Sequence, residues 1–142
     1  NTQAWENTTD YPSAPIMEGP TVIKHKGKYY LFYSANHFMS RDYAVGYAVA
    51  DSPLGPWKKP NDNRIIHRST VGENGSGHGD VFDDSKGNIF YVYHVHHSDH
   101  AVSPRLTRII PLHFVPSADG YDRVEVKREE VIVPIVKTGG KK

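Results

Sequence analysis

The sequence predicts an all-β fold of the propeller type, on the basis of an internal repeat, its turns and its strand-forming residues. Residues 18–35 align without a gap with residues 78–95, at an offset of 60. Each copy consists of an apolar run, a Lys-Gly turn and an aromatic-rich run, which is typical of a β-hairpin. A repeat of this length in an all-β chain indicates propeller blades, and the 142 residues would hold about two and a half of them.

In the first repeat, β-branched and aromatic residues predict three strands. Lys26-Gly27 is the expected turn between the first two, because glycine readily adopts the positive φ that a tight turn requires. Trp57 is expected to open a short outer strand, and residues 61–76 are predicted to form a long loop. The three strands are predicted at residues 16–24, 28–35 and 43–50.

The second repeat follows the same plan around a Lys86-Gly87 turn, with a His-rich loop at 97–104. Asp119-Gly120 predicts a further hairpin turn. No segment shows the periodicity of an amphipathic helix. Strands are predicted at residues 78–83, 89–96, 106–115, 122–127 and 130–136.

These elements divide the chain into an irregular lead-in, two blades, a strand that closes the ring or starts another blade, and a disordered tail. The corresponding ranges are 1–15, 16–76, 77–128, 129–137 and 138–142. A propeller needs about four blades to close, and two blades alone would leave unpaired strand edges. We therefore expect N-terminal blades outside this chain, or a second copy of it, to complete the ring.

Charge and composition argue against several classes of partner. The net charge is +1, and Lys and Arg are scattered apart from Lys141-Lys142, so no basic stripe for nucleic acid is expected. No apolar run approaches the roughly 20 residues that cross a membrane. The absence of cysteine excludes disulfides and thiolate metal sites.

Five short motifs occur in a fixed order between residues 16 and 120. They are MEGP at 17–20 with its hairpin, VGYA at 45–48 followed by SPLGPW at 52–57, GHG at 77–79, YVYH at 91–94 and PRLTRIIP at 104–111. With these motifs the chain resembles glycoside hydrolase family 43. The resemblance implies a five-bladed propeller that hydrolyses glycosidic bonds with inversion, in plant polysaccharides containing arabinose or xylose.

The resemblance implies that Glu18 is the general acid. Such a group must hold its proton near neutral pH, which partial burial and a neighbouring carboxylate favour. The alternative is a Glu in an ordinary hydrogen bond at the start of a strand. The resemblance puts the base and a second carboxylate, both Asp, on the two preceding blades. Inversion requires the acid and base carboxyls to lie roughly 6.5–9.5 Å apart with a water between them.

The repeat alignment sets His78 at the position equivalent to Glu18, and the resemblance puts it at the centre of the propeller, near a calcium ion or a water cluster. His78 is therefore expected to contact substrate or, through water or directly, a calcium ion, which prefers oxygen ligands. The alternative is a hydrogen-bonded core histidine. Arg105 matches the family's substrate-contacting arginine better than Arg108 does, and it could equally form a surface ion pair.

Three further residues are candidate substrate contacts. His94 belongs to the motif at 91–94, and Asn36 and Phe38 follow the second predicted strand and are expected to border the cleft. His94 also opens the His-rich segment 94–100, which could line the cleft, form a solvated loop or bind a metal. A zinc site needs three or four converging ligands, which a segment this short seldom supplies.

Two other functions are consistent with these features. The chain could be a non-catalytic carbohydrate-binding half-propeller that dimerises around one channel, or a structural β-repeat in which the Glu and His are incidental. For a polysaccharide-degrading protein, a secreted or periplasmic location is expected from the family resemblance.

Overall fold

The computed structural model describes residues 2–8 and 16–137, and in these ranges nine strands form three antiparallel sheets, as an all-β fold requires. The first sheet has the order β1 (Met17–His25), β2 (Lys28–Ala35), β3 (Ala44–Ala50) and β4 (Arg64–Ile66). The second has the order β5 (Gly77–Asp83), β6 (Ile89–Val95) and β7 (Leu106–Pro111), and a hairpin pairs β8 (His113–Val115) with β9 (Arg123–Glu125).

The two predicted Lys-Gly turns are present but differ in length. Lys26 and Gly27 have φ of 45° and 80°, which suits a two-residue turn with both central residues in the left-handed region. Lys24 pairs with Tyr29 in the first hairpin, whereas Asp83 pairs with Ile89 in the second. The second connection is therefore one residue longer, and the first strands of the two repeats are related by an offset of 59.

Aromatic side chains from both sheets form the core between them. Phe32 and Tyr91 lie 5.9 Å apart between ring centroids, and Tyr30 stacks on Tyr47 at 6.2 Å within the first sheet. Tyr93 is also fully buried. These tyrosines therefore serve as core residues.

The β8–β9 hairpin joins the two sheets at the outer end of β1 and β2. Asp122 accepts a hydrogen bond from Tyr30 Oη at its backbone carbonyl (2.8 Å), and its carboxylate lies 2.8 Å from His25 Nε2. Val124 N donates to Tyr47 Oη at 3.3 Å. These contacts link residues about 80–100 positions apart and fix the first blade against the second.

The segment 61–76, predicted as a loop, contains regular structure. Ile65 and Ile66 are buried and place β4 beside β3, and the short helix α1 (Arg68–Val71) follows. His67 caps this helix, since its ring accepts a hydrogen bond from Ser69 N. The outer strand expected at Trp57 is reduced to one bridge between Val49 and Lys58, because the prolines that flank it lack N–H donors.

The C-terminal part differs from the predicted strands in two places. The strand expected at 106–115 is divided at Leu112, because the chain leaves β6 there and continues as β8, which pairs with β9. In 129–137 a 3₁₀ turn spans Arg128–Glu130, and strand pairing is limited to one bridge between Ile109 and Ile132. The predicted tail at 138–142 and residues 9–15 of the lead-in lie outside the described residues.

Within residues 2–8 and 16–137, no helix is long and apolar enough to cross a membrane.

Gly79 is the glycine with the tightest steric constraint on the second hairpin. A Cβ atom added there would lie 1.8 Å from Val92 O and 2.7 Å from Tyr91 Cε1. We expect Gly79→Ala to destabilise the protein by at least about 1–3 kcal/mol, because backbone must move to admit the methyl group. Urea denaturation would measure this loss, with Ser85→Ala in the exposed turn as control. Equal stability of the two variants would contradict the prediction.

Candidate active site

Glu18 lies at the start of β1, where the strand is irregular. The pairing of β1 with β2 shifts between Glu18 and Thr21, which marks a bulge. Bulges redirect side chains and are common beside active sites. Glu18 Oε1 accepts a hydrogen bond of 2.6 Å from Tyr43 Oη, while the side chain remains 37% exposed. The carboxylate is thus held on one side and accessible on the other.

His78 lies next to Glu18, at the start of β5. Its Nδ1 atom is 3.7 Å from Glu18 Oε1, and its backbone N donates to Ser34 Oγ at 2.7 Å. The repeat therefore predicts correctly that two strand starts bring a carboxylate and an imidazole together. It does not predict their equivalence correctly, because the longer second turn makes His78 correspond to Gly19. The two residues share φ values of 52° and 60°.

His94, Arg105 and Phe38 extend this cluster. His94 pairs with Gly77 across β5 and β6, beside His78, and the Arg105 guanidinium lies 5.3 Å from the centre of the Phe38 ring. Burial lowers the pKa of His94, and the nearby Arg105 and His78 lower it further. His94 is therefore neutral at pH 7. Its buried Nδ1 atom has no hydrogen-bond partner among the described residues.

The rest of the His-rich segment does not form a metal site in the described part of the chain. His96 is buried, and its Nε2 bonds with the Phe38 carbonyl at 2.8 Å, which fixes the backbone beneath the Phe38 ring. Asp99 accepts from Arg41 at its backbone carbonyl and from Asn74 at Oδ1. Across residues 2–8 and 16–137, no three His, Cys, Asp or Glu side chains converge as metal ligands would.

Calcium would need more oxygen ligands than this cluster offers. Calcium takes six to eight oxygen ligands. The carboxylate that the described residues place beside His78 is that of Glu18, which supplies two oxygens at most. The described residues do not fit a protein-built calcium cage, and calcium near His78 stays a prediction from the family resemblance.

The Asn36 side chain is buried and has a structural role. Its Nδ2 atom donates to the carbonyls of Trp5 and Asp42, and its Oδ1 accepts from Thr8 N at 2.9 Å. The side chain is buried and its polar atoms are engaged, so we leave Asn36 out of the substrate-contacting group.

Arg108, the alternative to Arg105, is also engaged. Its Nε and Nη2 atoms donate to the two oxygens of Glu73 at 2.8 Å each. This two-point ion pair ties β7 to the segment before β5. The structure therefore leaves Arg105, and not Arg108, available near His94.

A buried hydrogen-bond network around Glu6 was not predicted from the sequence. Glu6 is 1% exposed, and its Oε1 accepts from Tyr33 Oη and from Lys59 Nζ, each at 2.6 Å. Asn63 Nδ2 donates to Tyr33 Oη, and Asn63 Oδ1 accepts from Trp5 Nε1. Burial alone would raise the pKa of Glu6, but the bonds from Lys59 and Tyr33 outweigh burial and lower it. Residues 2–8 have no periodicity that could have signalled this anchor.

A cavity of about 570 Å³ opens on the face of the first sheet that points away from the second sheet. Glu18 borders it together with Met17, Leu31, Tyr33 and Trp57. Leu31 and Tyr33 alternate along β2 with the residues that pack against the second sheet. This face therefore presents a mixed polar and apolar cavity beside the candidate acid, with Lys58, Lys59 and Asn61 also in its lining.

Comparison with known proteins gives one family for most of the chain. Residues 2–121 match the model of glycosyl hydrolases family 43. A β-D-galactofuranosidase of Aspergillus niger is 32% identical over 99 residues, which cover 69% of this chain and 29% of that protein.

Solved structures agree in fold and in sequence. An endo-1,4-β-xylanase from Bacteroides thetaiotaomicron has a TM-score of 0.75 at 34% identity, over 94% of this chain and 43% of that one. A thermostable family 43 glycoside hydrolase has a TM-score of 0.73 at 42% identity, over 87% of this chain and 39% of that one. The chain thus spans less than half the length of these relatives, and its two packed sheets are part of a five-bladed propeller fold.

Proposed function

The chain belongs to glycosyl hydrolases family 43, and from this premise we propose that it supplies the general acid of an inverting glycosidase. The observation that carries the proposal is the Glu18 carboxylate, which is bonded through Oε1, partly exposed and next to His78, with the Arg105 charge near the Tyr43 that holds it. We propose that further blades of the same protein supply the base and a second carboxylate, both Asp.

The proposed reaction is a single displacement at the anomeric carbon. The base takes a proton from water, and the water oxygen forms the new bond to that carbon. The bond to the leaving oxygen breaks while Glu18 donates its proton to that oxygen. Each cycle ends with Glu18 ionised and the base protonated, and solvent restores both groups.

His78, His94, Arg105 and Phe38 are the proposed substrate contacts. Arg105 presents guanidinium donors to sugar hydroxyls, and the neutral ring of His94 lies on β6 beside His78. Phe38 is 38% exposed and can pack against the apolar face of a sugar. Together these groups offer hydrogen-bond donors, a hydrogen-bond acceptor and an aromatic surface near the Glu18 carboxyl group.

Arabinose- or xylose-containing polysaccharides are the proposed substrate class, with activity of the arabinofuranosidase or xylosidase type. One relative named above supports the xylose part of this class, since it is called an endo-1,4-β-xylanase, whereas the name β-D-galactofuranosidase specifies a different sugar. We also propose a secreted or periplasmic location, where such polymers occur. The cavity beside Glu18, whose lining includes Met17, Leu31 and Trp57, supports the packing of a preceding blade against the first sheet.

The test is hydrolysis of xylo- and arabino-oligosaccharides by the full-length protein, followed by proton NMR at early times. We expect the first product to have the anomeric configuration opposite to that of the substrate. Retained configuration would contradict the proposed displacement. Binding without hydrolysis would favour a carbohydrate-binding half-propeller, and a dimeric mass of this chain in light scattering would strengthen that alternative.

A further inference from the structure

We propose that Tyr43 is a positioning residue for the general acid, because its hydroxyl fixes Glu18 Oε1 and leaves the transferable proton on Oε2. The inference rests on the proposed function, since it requires Glu18 to be the acid.

The contact between Tyr43 and Glu18 is short and buried on the tyrosine side. Tyr43 Oη lies 2.6 Å from Glu18 Oε1, and Tyr43 is 0% exposed. Oε2 makes no hydrogen bond to the described residues. A Glu side chain at the start of a strand has three rotatable bonds, so one strong hydrogen bond to a rigid donor selects its orientation.

Tyr43 is itself rigid because its ring is fully buried and packs against the backbone of β5. A Cβ atom at Gly77 would lie 2.5 Å from Tyr43 Cδ1, so the ring rests directly on the backbone of β5. Ser34 Oγ on β2 accepts a hydrogen bond from His78 N at 2.7 Å, which ties β2 to β5. The donor is therefore fixed against β5, the strand whose start carries His78.

The phenol keeps its proton throughout the working pH range and can therefore donate it to Glu18. Burial raises the pKa of Tyr43, and the bond to Glu18 raises it further. With Oε1 occupied by this donor, a proton on Glu18 resides on Oε2, which makes no hydrogen bond to the described residues. When Oε2 gives its proton to the leaving oxygen, the same bond stabilises the carboxylate that forms. The nearest imidazole nitrogen to this carboxylate is His78 Nδ1, which lies 3.7 Å from Glu18 Oε1.

The first test is Tyr43→Phe in the full-length protein, assayed on a xylo-oligosaccharide. We expect kcat to fall roughly 10- to 100-fold, as for loss of a charge-assisted hydrogen bond, with KM within about twofold of wild type. Tyr93→Phe is the matched control, because it removes a buried hydroxyl that has no partner among the described residues. The control should keep the wild-type kcat, and thermal unfolding should show that both variants fold.

A double-mutant cycle with Glu18→Gln separates positioning from a general structural role. If Tyr43 acts through the acid, Tyr43→Phe causes no further loss in the Glu18→Gln background. An equal loss in both backgrounds would overturn the inference, and so would a wild-type kcat for Tyr43→Phe. Full activity of Glu18→Gln alone would instead overturn the proposed function, so the two failures are distinguishable.

Discussion

Replacing Glu18 with Gln in the full-length protein is expected to lower kcat/KM on oligosaccharides by roughly 10²- to 10⁴-fold. Glutamine keeps the volume and can still accept the Tyr43 hydrogen bond at its amide oxygen, but it has no proton to give to the leaving oxygen. Initial rates of reducing-sugar release would measure the loss. The control is Glu125→Gln, which makes the same chemical change at an exposed residue of β9.

The loss should appear without a change in folding. Glu18 is partly exposed, so its replacement is expected to leave the unfolding midpoint near that of the control. A Glu18→Gln variant that unfolds at the control midpoint and retains the wild-type rate would remove Glu18 from the mechanism.

The second large effect is on stability, at Glu6. We expect Glu6→Gln to reduce the free energy of unfolding by about 2–4 kcal/mol, because it removes the charge that Lys59 and Tyr33 stabilise. Gln3 N and Tyr33 Oη both donate hydrogen bonds to the Glu6 carboxylate in the wild type. The NH₂ group of the amide in the variant would face one of these donors and could not accept from it. Urea denaturation at pH 7 would measure the change, with Glu129→Gln at an exposed site as control.

The Glu6 effect should depend on pH in one direction. The bonds from Lys59 and Tyr33, set against burial, hold the pKa of Glu6 below its usual value of 4.5 in the folded protein. Its stabilising contribution is therefore complete above pH 4.5 and disappears as the pH falls through the lower folded value. The stability difference between wild type and Glu6→Gln should shrink in acid. A difference that is constant from pH 7 to pH 3 would contradict this assignment.

The hairpins were predictable because local turn signals encode them, and the closeness of Glu18 to His78 was predictable because the hairpin is repeated along the chain. Lys26-Gly27 and Lys86-Gly87 are local turn signals, and a repeated hairpin places equivalent strand starts side by side. The one-residue error in their equivalence arose because a gapless alignment cannot show that the second turn is longer.

The contacts that hold the site together were not predictable from local sequence. Tyr43 and Glu18 are 25 residues apart, and Trp5 and Asn63 are 58 apart. Each pair depends on tertiary packing, and a lone Tyr or Glu carries no signal of its partner. Asn36 is the opposite case. As a polar residue directly after a strand it was predicted to border the cleft, but its side-chain amide donates to backbone carbonyls within the protein.

The most direct test of the central claim compares two leaving groups in the full-length protein. A dinitrophenyl glycoside departs with little need for a proton, whereas an oligosaccharide requires one. If Glu18 is the general acid, Glu18→Gln should hydrolyse the dinitrophenyl glycoside at close to the wild-type kcat/KM while its rate on the oligosaccharide collapses. Equal proportional losses on both substrates would show that Glu18 does not donate the proton.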